Sequence, residues 1–307
     1  MTRRRADLLL LLATAMWGTS FVAVKSALAY ATPFAFLTVR FGLAAALLAP
    51  GTRFRPLPRG RELWGGLLLG ALVAGGFVSV TLGLLITTPS RAAFIVSISS
   101  VLAPVIAFVA LRRRPGWLAI SALAIAGLGV YFLTAPDSGG LNRGDLVTLI
   151  CAVCFAGQIV AITELAPYSE PRRLVWIQIA ATALLSGVAA LLLERPRITW
   201  TAEFAAALAW TVVFASTVSF VLQAYAQRHM SSARAALIFC FEPLFAAAAS
   251  WVVLGERLSL LQWGGGALIL VGMVLAELPV RSSVIRCRSS VGSERITDHG
   301  SRIADNG

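Results

Sequence analysis

Glu242 is followed by Pro243 near the middle of an apolar stretch of about twenty residues, Ala233 to Leu254, which is long enough to cross a bilayer. A carboxyl group is costly at that depth, and intramembrane acids mark ion or substrate paths by default. Proline removes a backbone donor and clashes one turn back, so the helix is expected to be bent or locally open beside the carboxyl. Two readings follow: a proline-kinked packing helix whose glutamate is protonated or paired, or a helix lining a polar pathway. Arg40 poses the same question seven residues into another apolar run, where a buried arginine costs about 2.5–3.5 kcal/mol and needs water or a partner. Lys25, nearer a span end, is expected to snorkel to the interface. Ser216, Ser219, Gln223 and Gln227 fall within roughly 80° of one another at ~100° per residue, a polar stripe on an otherwise apolar helix. Cavity lining and hydrogen bonding between helices explain such a stripe equally well. Cys151 and Cys154 have redox or metal spacing, but they lie in an apolar run away from His229 and His299 and read as packing groups. No metal site or cofactor is expected, and no HExxH, GxSxG or P-loop occurs.

The elements that must hold these residues are membrane helices. Hydrophobic residues make up 58% of the chain, charged residues 13%, and mean hydropathy is +0.82, against roughly 45–50% apolar and 25% charged in soluble domains. The net charge of +12 does not indicate nucleic acid, because all basic residues but Lys25 are arginines, mostly clustered between apolar runs. Ten apolar segments follow one another at roughly 8–30, 33–50, 63–86, 91–111, 117–135, 145–165, 174–194, 204–226, 232–254 and 260–278. The first could pass for a signal peptide, but it is too long and interrupted by Lys25. The segment 281–307 reads as a disordered cytoplasmic tail. With the N-terminus inside, fourteen arginines flank the inner ends of the spans, whereas Arg91, Arg143, Arg195, Arg197 and Arg257 flank the outer ends. Both termini are therefore expected in the cytoplasm.

Self-comparison reveals a repeat. A shift of 138 residues lays Asp7-Leu8 on Asp145-Leu146, Trp17 on Phe155, Pro33 on Pro171 and Arg40 on Gln178. A shift of 143 lays Arg91-Ala92-Ala93 on Arg234-Ala235-Ala236, Leu111 on Leu254 and Gly129 on Gly272. The expected fold is an all-α membrane protein of ten transmembrane helices in two five-helix repeats, 6–135 and 144–278. Five is odd, so the second repeat is inverted relative to the first, as in transporters whose halves rock about a midplane site.

Trp17-Gly18-Thr19-Ser20-Phe21, Pro33 with Arg40, Glu242-Pro243 and Leu254-Gly255-Glu256-Arg257-Leu258 together resemble the EamA family of the drug/metabolite transporter superfamily. The resemblance spans about residues 6–278 and implies a ten-helix metabolite transporter, often an exporter of amino acids or related compounds, with a central cavity between its halves. The function expected is secondary transport by alternating access, not an enzyme. A drug or cation efflux transporter is the alternative, and an intramembrane enzyme or a non-transporting scaffold fits less well. Trp17, Ser20, Arg40, Gln178, Ser219, Gln223 and Glu242 are the expected substrate-pathway residues, with Pro104 and Pro243 at helix kinks. The expected partners are a small-molecule substrate, the lipid bilayer and a proton or other coupling ion, with no nucleic acid, at the cell or inner membrane.

Overall fold

The computed structural model describes residues 3–52, 60–112, 117–133, 141–230, 235 and 238–277. The segment 281–307, expected to be disordered, lies outside them, as do Ser232 to Arg234 and Cys287. Among the described residues ten helices follow in order: α1 (Arg3–Ala27), α2 (Pro33–Leu48), α3 (Arg61–Gly83), α4 (Pro89–Leu111), α5 (Trp117–Leu133), α6 (Arg143–Leu165), α7 (Pro171–Leu193), α8 (Ala202–Gln227), α9 (Glu242–Leu254) and α10 (Leu260–Glu277). There is no strand among the described residues, only an isolated bridge between Ala31 and Ile198. Seven of the helices are long and apolar enough to cross a membrane, and α5, α9 and α10 are shorter apolar helices. The protein is a multi-pass membrane protein.

Helix boundaries follow from local chemistry. Pro33, Pro89 and Pro171 sit at the first helical positions of α2, α4 and α7, where the missing N–H costs nothing. Thr88, Glu170 and Thr201 cap α4, α7 and α8 with side-chain oxygens, and Asn142 with Asp145 forms a reciprocal capping box at α6. The N-terminus of α2 is capped from a distance: Glu194 Oε1 accepts from Thr32 Oγ1 at 2.8 Å and from Ala35 N at 2.7 Å. At the other ends of helices, Gly255 and Arg112 both adopt the left-handed conformation, with φ of 66° and 55°. α4 runs through Pro104 as one helix.

The distribution of side chains is that of a bundle solvated by lipid. Leu12, Leu47, Leu68, Leu191 and Val252 are exposed, whereas Arg40, Asp145, Gln178 and Ser216 are fully buried. α3 and α4 pack on α6, while α8 and α9 pack on α1; α2 pairs with α7 and α5 with α10. Small residues permit the closest approaches. A Cβ on Gly129 would lie 2.7 Å from the Gly265 carbonyl of α10, and one on Gly144 would lie 2.7 Å from the Gly83 carbonyl of α3.

Candidate functional site

A cavity lies among α1, α3, α4, α6, α8 and the start of α9. It has about 70 Å³ of room for the centres of water-sized molecules, several times the roughly 10–15 Å³ that one water needs. Trp17 and Ser20 enter from α1, Phe77 and Thr81 from α3, Ser97, Ser99 and Ser100 from α4, Phe155 and Gln158 from α6, Phe220 and Gln223 from α8, and Glu242 from α9. A few polar groups are thus set in a mainly apolar and aromatic wall, the composition expected of a small-molecule site.

Glu242 is the acid of this wall, and the chain around it explains its position. Ile238 and Phe239 are helical, Cys240 and Phe241 form a turn, and α9 then starts at Glu242 with Pro243 in its first turn. The carboxyl therefore sits at the start of a helix, directly after a turn. α1 reaches this point through Gly18. A Cβ there would fall 2.6 Å from the Glu242 carbonyl oxygen and 2.7 Å from Phe245 Cβ, so only glycine lets the two helices meet. The close approach sets Trp17 and Ser20 beside Glu242 on the same cavity.

α8 also lines the cavity and departs from regular α-geometry. Residues Thr211–Val218 are π-helical, and the side chains of Thr217 and Ser219 donate five residues back, to Val212 O at 2.8 Å and Phe214 O at 2.6 Å. Trp17 Nε1 donates to Ala215 O at 2.9 Å within this segment. The polar stripe on α8 is buried throughout, but its members do different things. Ser216 accepts from Arg40 Nε at 2.8 Å, Ser219 contacts Met16 Sδ at 3.5 Å, and Gln223 faces Gln158 across the cavity wall at 3.4 Å. Both amide atoms of Gln227 lack a hydrogen-bond partner among the described residues.

Of the residues singled out in the sequence, Trp17, Ser20, Gln223 and Glu242 line the cavity, whereas Arg40, Gln178 and Ser219 lie outside its wall. The Arg40 guanidinium lies 5.0 Å from the centroid of Phe41 and 4.7 Å from that of Phe77. Gln178 is fully buried on α7 with neither amide atom partnered among the described residues. Sequence reasoning missed Phe77, Phe155, Phe220 and Gln158. The phenylalanines carry no signal in an apolar span, but Gln158 could have been found as the lone amide inside α6.

At one end of the bundle a polar network joins the helices. Lys25 Nζ donates to the carbonyls of Leu84 and Thr87, closing the C-terminal end of α3. Asp145 pairs with Arg91 and accepts from Thr87 Oγ1 at 2.6 Å. Glu256 reaches back to Ser250 and accepts from Ser90 Oγ at 3.0 Å. Near the opposite end, Arg173 Nε pairs with Glu62 at 2.9 Å, tying α7 to α3. Cys151 and Cys240 are buried among apolar side chains.

A model of the EamA-like transporter family matches residues 4–135 and again residues 142–278. An uncharacterized transporter of Archaeoglobus fulgidus is 34% identical over 278 residues, 91% of this chain and 87% of that protein. A chloroplastic WAT1-related protein of Arabidopsis thaliana is 26% identical over 281 residues, 86% of this chain and 67% of that protein. A solved crystal structure covers 90% of this chain and 97% of its own with a TM-score of 0.68 at 19% identity, a likeness of fold.

Proposed function

The chain belongs to the EamA-like transporter family, and on that premise we propose that it is a secondary exporter of amino acids or related metabolites, working by alternating access around the cavity at Glu242. It is a transporter and not an enzyme. The observation that carries the finer reading is the broken helix that presents Glu242 to a cavity walled by both the first and the last five helices. Helix breaks of this kind supply binding groups at membrane depth in transporters. Trp17, Ser20, Gln223 and Glu242 form the path, with Arg40, Gln178 and Ser219 behind it.

The alternating mechanism rests on two inverted five-helix repeats, 6–135 and 144–278. Three observations support them: the family model matches twice, the third and fourth helices of each five pack on the first helix of the other, and Arg112 and Gly255, one step beyond the aligned Leu111 and Leu254, share a left-handed backbone. The arginine distribution supports a reading with both termini in the cytoplasm, and the cell or inner membrane is the location that goes with it. The Lys25, Arg91–Asp145 and Glu256 contacts then lie on the outer side.

The second reading is efflux of cationic drugs. Trp17, Phe77, Phe155 and Phe220 beside Glu242 favour it, because aromatic faces and a carboxylate both attract cations. Proteoliposomes loaded with unlabelled amino acids and given labelled ones outside test the first reading by counterflow, and lipophilic cations in the same format test the second. Accumulation of neither class would overturn both. Single cysteines replacing Arg195 and Arg228 in a cysteine-free background are expected to label from opposite sides. Labelling of both from one side would overturn the orientation.

A further inference from the structure

The cations carried within these helices are not treated alike. Lys25 donates to two carbonyls and Arg91 pairs with Asp145. Arg40, fully buried, has one polar partner among the described residues: its Nε donates to Ser216 Oγ, and both terminal nitrogens find no acceptor. The rings of Phe41 and Phe77 lie near the guanidinium, at 5.0 and 4.7 Å, but a ring face does not accept the four N–H groups of those nitrogens as an oxygen does. A buried cation whose fork is left open is matched by the two oxygens of a carboxylate, which bind such a fork through parallel hydrogen bonds.

Phe77 connects this fork to the cavity. It packs by Arg40 and also lines the cavity wall, with Phe155 and Phe220 as further ring neighbours at 5.4 and 6.3 Å between centroids. Glu242 lines the same cavity, so a carboxylate at Arg40 would complement a cationic group near Glu242.

We propose that Arg40 is a carboxylate-binding subsite for the transported solute, screened from the cavity by the Phe77 ring and reached when that ring turns aside. This rests on the transporter reading above and narrows its substrates to solutes bearing a carboxylate.

The test uses benzoate as probe and benzamide, its uncharged counterpart of the same shape, as control. The melting temperature of the full chain in detergent is followed against the concentration of each. Benzoate is expected to raise it saturably while benzamide does not, and Arg40→Gln is expected to raise the half-saturating benzoate concentration at least about tenfold. Arg40→Lys keeps a charge without the fork and is expected to fall between; it serves in place of Arg40→Gln if that variant does not fold. Phe77→Ala removes the screen and is expected to lower the half-saturating concentration. Equal responses to benzoate and benzamide, or a benzoate response unchanged in the Arg40 variants, would overturn the subsite. An unchanged half-saturating concentration in Phe77→Ala would overturn the screen. If no solute undergoes counterflow but the Arg40-dependent benzoate effect persists, the transporter mechanism fails and the subsite stands. Counterflow of amino acids without that effect leaves transport standing and removes the subsite.

Discussion

Trp17 Nε1 donates to the carbonyl oxygen of Ala215 at 2.9 Å, joining the cavity wall on α1 to the π-helical segment of α8. The same indole packs edge-on to Phe220 at 5.3 Å and against Phe239 at 5.9 Å. Trp17→Phe keeps most of the ring contact and removes the donor. A loss of about 1 kcal/mol is expected, the scale of one hydrogen bond. Unfolding in mixed micelles is the measurement, and unchanged stability would show that the bond does not hold the two helices together.

Asp145→Asn removes the charge at the polar network. The single amide oxygen can still accept from Thr87 Oγ1, but the NH2 that replaces Oδ2 accepts neither from Arg91 nor from Asn142 N, so Arg91 loses its counter-charge and the α6 capping box its return bond. Breaking a buried pair on one side costs about 3–5 kcal/mol. The stability of Asp145→Asn is expected to fall by that order, and Arg91→Gln combined with Asp145→Asn is expected to recover part of it. A double variant no more stable than Asp145→Asn would place the loss elsewhere.

Gln223→Leu is expected to impair transport more than Thr217→Leu at equal expression. Gln223 lines the cavity and faces Gln158, whereas the Thr217 hydroxyl is spent on Val212 O within its own helix. Initial rates of counterflow at saturating and subsaturating substrate compare the two. Equal losses would reduce the α8 polar face to packing.

Glu242→Gln tests the acid at the helix break. If the carboxyl exchanges a proton during the cycle, the variant is expected to bind substrate and to lose the pH dependence of transport across roughly pH 5.5–8. If it serves only structure, the variant is expected to express poorly or unfold early. A well-folded Glu242→Gln protein that transports like the parent at every pH would sink both roles.

The sequence made the helices legible because lipid imposes long apolar runs, and Pro33, Pro89 and Pro171 mark where three of them start. Trp17, Ser20, Gln223 and Glu242 were legible for the same reason in reverse, since a polar or amphipathic residue is conspicuous in an apolar run. What stayed hidden were features without a compositional trace. A π-helical segment needs no special residue, so Thr211–Val218 looks like any apolar helix. Phe77 is an ordinary lipid-compatible residue until its neighbours are known. Glu256 belongs to the short turn between α9 and α10, and nothing in the sequence shows that its carboxylate folds back onto Ser90 and Ser250. The partners of Lys25, the carbonyls of Leu84 and Thr87, depend on how α1 meets the end of α3.

Arg40 lies in α2, but Ser216, which accepts from its Nε, lies in α8. A ribosome that has finished α5 has delivered this cation to the bilayer without that partner, at about 2.5–3.5 kcal/mol for an arginine at membrane depth. A nascent chain cut short after residue 133 would therefore hold Arg40 in the bilayer with no Ser216 to receive it.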